Sequence, residues 1–102
     1  MRNVRDLMTS EIQESLATGE TIEDIEDRSN ELVDSYLPIY NGDILEEWSD
    51  MPSEYDDRGA QELGADESMG IIGRMSLDLY LYYADVFSTI IEQIKEDEEG
   101  EE

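Results

Sequence analysis

Apolar residues first recur at Val4, Leu7, Met8, Ile12 and Leu16, in steps of three to four that mark one face of a helix, and Gly19 follows where such a helix would stop. The pattern predicts a helix over Val4–Ala17. Thr21 then opens the stretch TIED, in which a threonine can cap a helix and Asp24 stands where it can reach back to the capping residue. At about 100° per residue, Ile22, Ile25, Ser29, Leu32, Val33 and Tyr36 fall on one side of a second helix. Glu20, Glu23, Asp24, Asp27, Glu31 and Asp34 fall on the other. Pro38 and the turn dipeptide Asn41-Gly42 predict a bend through YLPIYNG.

A short third helix is expected from Asp43 to Asp50, with Ile44, Leu45 and Trp48 inward and Glu46, Glu47 and Asp50 outward; Pro52 follows its end. Residues 52–68, with one proline and two glycines, read as a long acidic loop with helical turns near Tyr55 and Leu63. Past Ser68, a candidate cap, Ile72, Met75, Leu79, Tyr83, Val86, Ile90 and Ile94 form a continuous stripe. Leu77, Tyr80, Leu81 and Ala84 add a second stripe, leaving a polar edge of Arg74, Asp78, Asp85 and Glu92. A helix apolar on two sides is either central or an interface, and at about 1.5 Å per residue this one spans on the order of 40 Å. The aromatics Tyr36, Tyr40, Trp48 and Tyr55 are expected in the core, Trp48 half exposed. The expected fold is all-α: one domain over 1–95 of about four helices with a long C-terminal helix, then an acidic tail, 96–102, without structure.

Charge separates this chain from an ordinary helical domain. Its 102 residues hold 29 acidic and six basic side chains, a formal net charge of -23. Solubility in a small domain needs a magnitude of only about 2 to 8, and the surplus raises self-repulsion that salt screens only beyond about 8 Å. Such a field opposes direct binding to nucleic acid or an anionic membrane and favours a partner with a basic face. The opening MRNVRDLM lacks the apolar continuation of a signal peptide, and no run of about 18 apolar residues is present, so a soluble, cytoplasmic protein is expected.

Cysteine and histidine are both absent, which removes disulfides, thiolate nucleophiles, the common zinc ligands and the Glu-x-x-His di-metal pattern. An EF-hand reading with Gly59 at the sixth position places Arg58 at five and Ala65 at twelve, where a glutamate is required. Nothing singles out a catalytic carboxylate pair. No enzyme activity, cofactor or dedicated metal site is expected.

The remaining account of the charge is imitation of a polyanion. Duplex DNA carries one charge per roughly 1.7 Å of axis, so the net charge of -23 matches about 40 Å of it, the length expected of the last helix. Carboxylates facing outward from a helical rod would accept the arginine and lysine contacts that phosphates accept. The expected contact surface is Glu23, Asp24, Asp27, Glu31, Asp34, Asp43, Glu46, Glu47 and Asp50, continued by Glu54, Asp56, Asp57 and the acidic tail. Leu77, Tyr80, Leu81 and Ala84 are the candidate homodimer interface. The alternative is an adaptor docking on a host enzyme such as a polymerase through an apolar patch around Trp48 or Tyr80, with charge serving only solubility.

The segments DSYLPIYNGDILEEWSDMPSEYDDRG and LDLYLYYADVF resemble those of small acidic proteins of actinobacterial phages. In element order, the Pro-containing bend with tyrosine, the long late helix and the glutamate-rich end, the chain also resembles the Ocr family of anti-restriction DNA mimics. That likeness implies a dimeric, bent rod acting on host restriction or related enzymes in the infected cell. It rests on element order and character, so no functional residue is carried over.

Overall fold

The computed structural model describes residues 3–56, 58–64 and 70–100. Among these residues six α-helices follow one another: α1 Val4–Ala17, α2 Ile22–Asp27, α3 Ser29–Tyr36, α4 Asn41–Asp50, α5 Arg58–Leu63 and α6 Gly70–Gly100, with a 3-10 turn at Ser53–Tyr55 between α4 and α5. The fold is all-α, and α6 is its spine: α1, α3, α4 and α5 all pack against it. The body measures 50 × 25 × 21 Å.

The helix ends follow from local chemistry. Asn3 caps α1 by accepting the Asp6 amide at 3.2 Å. Gly19, at φ 104°, supplies the left-handed residue that turns the chain after α1. Thr21 and Asp24 form the reciprocal capping box: the threonine hydroxyl accepts the Asp24 amide at 3.1 Å and the aspartate accepts the Thr21 amide at 3.4 Å.

The expected second helix is two. Arg28 sits at φ -100°, ψ 9°, off the helical region, and its amide bonds the Ile25 carbonyl three residues back, which tightens and ends α2. Its carbonyl then accepts the Leu32 amide and starts α3. The Arg28 guanidinium folds back onto Glu20. Because the apolar spacing runs unbroken through Arg28, periodicity alone gave no sign of the break.

The core is a layer of aliphatic and aromatic side chains between α6 and its neighbours. From α6 come Leu79, Tyr83, Phe87, Ile90 and Ile91; from α1 Val4, Met8 and Ile12; from α2 and α3 Ile25, Val33 and Tyr36; from α4 and its end Ile44 and Met51. The Tyr36 hydroxyl donates to the Glu11 carboxylate and so ties α3 to α1. Lys95 near the end of α6 bonds Glu26 of α2 at 2.5 Å.

Several positions depart from the expected faces. Tyr40, expected in the core, is 75 % exposed, because it belongs to the bend before α4 and points away from α6. In α4 the buried face is Ile44, Glu47, Trp48 and Met51, the i, i+3, i+4, i+7 set, so Leu45 turns outward and is 48 % exposed. Helix α6 runs on through the acidic stretch to Gly100, beyond the start of the expected tail at 96. Extending an established helix costs far less than starting one, and glutamate is a good helix former. Ser68 lies outside the described residues.

Candidate functional site

Of the twelve acidic residues expected to meet a partner, ten are exposed: Glu23, Asp24 and Asp27 on α2, Glu31 and Asp34 on α3, Asp43, Glu46 and Asp50 on α4, and Glu54 and Asp56 after it. Asp57 lies outside the described residues. The ion pairs seen among the described residues, Arg28–Glu20, Arg58–Glu62 and Lys95–Glu26, involve other carboxylates. Asp24 alone has a structural duty, in the capping box of α2. Helices α3 and α4, which carry five of these carboxylates, both pack on the spine and are joined by the 37–40 bend.

Glu47 is the exception and corrects the expected surface. It is only 9 % exposed, and its carboxylate accepts a hydrogen bond from the Tyr83 hydroxyl at 2.5 Å. The cause is the rotation of α4 described above. A tyrosine on the inward stripe of α6 needs an acceptor for its buried hydroxyl, and Glu47 supplies it. That need was the signal available in the sequence.

A second carboxylate was also misplaced by pattern reasoning. Asp78, expected on the polar edge of α6, is 1 % exposed. Its Oδ2 accepts the Trp48 indole N–H at 3.0 Å and its Oδ1 the Gly59 amide at 2.8 Å. Gly59 lies in the first turn of α5, where backbone N–H groups have no partner within their own helix. Asp78 therefore acts as a cap delivered from another helix, and one carboxylate joins α4, α5 and α6. Trp48, a candidate anchor for a docking partner, is half-buried and spends its only polar atom on this bond.

On the flank of α6, the Tyr55 hydroxyl donates to Asp85 at 2.7 Å, its ring lies 5.1 Å from that of Tyr82, and the Arg58 guanidinium sits 5.3 Å above it. The bond to Asp85 is the main reason that the Tyr55 hydroxyl is pushed up to about 12; burial and the negative charges of Asp85 and Glu54 add to it, and Arg58 opposes it. Because the folded state holds this proton more tightly than the unfolded chain, the interaction stabilises fully below pH 10 and is lost as pH rises towards 12. Urea unfolding of the wild type and of Tyr55→Phe, compared from pH 8 to 11.5, is expected to show a stability difference that shrinks above about pH 10. A constant difference would mean that the hydroxyl contributes nothing through Asp85.

The candidate dimer stripe, Leu77, Tyr80, Leu81 and Ala84, is half-buried within the single chain. Tyr80 donates to Asn30 of α3 at 3.0 Å, and with Leu77, Leu37 and Leu63 it lines a groove of about 480 Å³. Part of the second apolar stripe is thus accounted for by packing of α3 and α5 on the spine.

Among the described residues no group of three or more acidic side chains is placed to hold a metal ion, and no helix is long and apolar enough to cross a membrane. No protein-family model, curated protein or solved structure matches the chain.

Proposed function

We propose that this protein imitates the DNA backbone and inhibits a host DNA-binding protein by filling its basic groove. A restriction or other defence nuclease in the cytoplasm of a phage-infected bacterium is the first target class. The observation that carries this reading is the set of ten exposed carboxylates, engaged by none of those ion pairs, on an elongated helical body. A duplex as long as the 50 Å body carries roughly 30 phosphates, of the same order as the net charge of -23. Carboxylates accept arginine and lysine donors in charge-assisted bonds as phosphate oxygens do. Two copies paired through Leu77, Tyr80, Leu81 and Ala84 would extend the rod. No chemistry is required of the protein; inhibition is occlusion, and the reading assigns it no enzyme activity.

The charge also has a cost that solubility alone does not explain. No helix from α1 to α6 has a basic residue in its last turn, and α2 ends on Glu26-Asp27 and α4 on Asp50, opposing the helix dipole. A fold that tolerates acidic ends on α2 and α4 is consistent with negative charge being the selected property.

Immobilised protein incubated with bacterial lysate is expected to retain DNA-binding proteins that excess duplex DNA displaces and that elute steeply with salt. Retained proteins indifferent to duplex DNA would overturn the reading. Against a purified target, each charge reversal among Glu23, Asp27, Glu31, Asp34 and Asp43 is expected to weaken binding by roughly twofold to fivefold, cumulatively, with a shallower salt slope at each step. Loss of all binding on reversing one carboxylate would instead indicate a single focal contact.

A further inference from the structure

The bend between α3 and α4 exposes two large apolar side chains in the middle of the acidic surface. Ile39 is 86 % and Tyr40 75 % exposed, the two highest values among the large hydrophobic residues. They are not isolated. Leu37, Pro38, Ile39 and Tyr40 line a groove of about 410 Å³ together with Asp43 and Glu46 from the first turns of α4. Apolar side chains, an aromatic ring and two carboxylates thus meet in one concavity. Ser35 and Glu47 complete the lining; Glu47 is held by Tyr83 and Leu37 packs on the core, whereas Ile39, Tyr40, Asp43 and Glu46 are exposed.

We propose that this groove receives an arginine side chain from a basic protein partner. The complementarity is specific to that side chain. Arginine's methylene stem can lie on Leu37, Pro38 and Ile39 while its head stays charged. Its planar guanidinium stacks on an aromatic face and presents a fork of donors to carboxylates such as Asp43 and Glu46. Lysine offers a point charge on a similar stem, more strongly hydrated and without the plane. The partial positive charge at the start of α4 opposes any cation, but it falls off within the first turn, where Asp43 already offsets it.

This inference rests on the polyanion reading and sharpens it. Dispersed carboxylates attract and orient any basic surface, whereas the groove makes the surface prefer arginine at one place. DNA offers a protein no such apolar shelf on its phosphate backbone, so the shelf gives the mimic a contact by which it can outlast DNA in the same site.

The probes are two short peptides of equal length and charge, one alternating glycine with arginine and the other glycine with lysine, titrated into the full chain at low salt. The arginine peptide is expected to bind roughly threefold to fivefold tighter, with the largest chemical-shift changes at Ile39 and Tyr40. Tyr40→Ser is expected to remove that preference while leaving lysine-peptide affinity unchanged. The substituted position is exposed and precedes α4, where serine is a favourable cap, so a lost preference does not report unfolding. An arginine preference that survives Tyr40→Ser overturns the groove while the polyanion reading stands. Failure of both peptides to bind, or binding that salt does not weaken, overturns both.

Discussion

Replacing Gly59 by alanine is expected to lower the unfolding free energy by about 3 kcal/mol or more. A Cβ at this position would stand 2.3 Å from the Leu77 carbonyl carbon, 2.4 Å from the Asp78 amide nitrogen and 2.5 Å from the Leu77 carbonyl oxygen. All three are backbone atoms of the spine. A flexible side chain could swing aside; a turn inside a long hydrogen-bonded helix cannot. Helix α5 would have to retreat by about 1 Å to reach ordinary contact, which stretches the bond from its Gly59 amide to Asp78, now 2.8 Å. The measurement is urea unfolding followed by circular dichroism, with Gly42→Ala as the control. Gly42 also lies in a helix, but nothing stands within 4 Å of its would-be Cβ, so that change is expected to be neutral or mildly stabilising. Equal stability of the two variants would mean that α5 does not press on the spine.

Much of this architecture was legible because it depends on spacing and caps. The stripe Val4, Met8, Ile12 marks α1 within its observed bounds, Thr21 and Asp24 form the box that their order suggests, and turns were expected near Tyr55 and Leu63 where the 3-10 turn and α5 lie. The long helix from Ile72 onward carries the apolar positions expected to face its neighbours. What periodicity missed is the core pair Phe87 and Ile91, which lie outside both expected stripes, and polar burial. Counting apolar residues places Leu45 inside and Glu47 outside, yet the hydroxyl of Tyr83 and the face shared by Ile44, Trp48 and Met51 reverse the pair. Asp78 is invisible for the same reason: its burial is set by an indole N–H and a helix-start amide that arrive from residues 48 and 59, and no local pattern encodes that meeting. In an acidic chain the question is which few of the 29 carboxylates are structural. For Glu47 and Asp78, buried donors rather than sequence neighbours decide it.

The candidate surface was legible to a similar degree. Residues on the polar side of α2 and α3 are exposed as expected, because the amphipathic division there is clean. The groove beside Tyr40 was not foreseen. An aromatic residue in a bend reads as core by composition, and only the direction of the chain between α3 and α4 turns it to solvent.

Asp78→Ala is expected to cost about 3 kcal/mol, and two opposing effects decide the sign. Taking a carboxylate out of water inside a body of net charge -23 is unfavourable, and the alanine variant is relieved of that. It also strands both donors. The Trp48 indole is half-buried and can regain a water, but Gly59 is buried and its amide loses the Asp78 acceptor at the start of α5. An unsatisfied buried donor costs about 1 to 3 kcal/mol, the cavity left by the carboxylate adds to it, and together these outweigh the desolvation relief. Asp78→Asn keeps one acceptor oxygen and is expected to lose roughly half as much, with an NH₂ group facing one of the two donors. The loss has a distinctive location. Since α5 has six residues and depends on this cap, its amides are expected to exchange much faster in Asp78→Ala while those of α1 change little. Combining Asp78→Ala with Gly59→Ala should cost clearly less than the sum of the two, because a helix already released from the spine no longer meets the clash. Additive losses, or uniform exchange across the chain, would show that Asp78 supports the fold without holding α5.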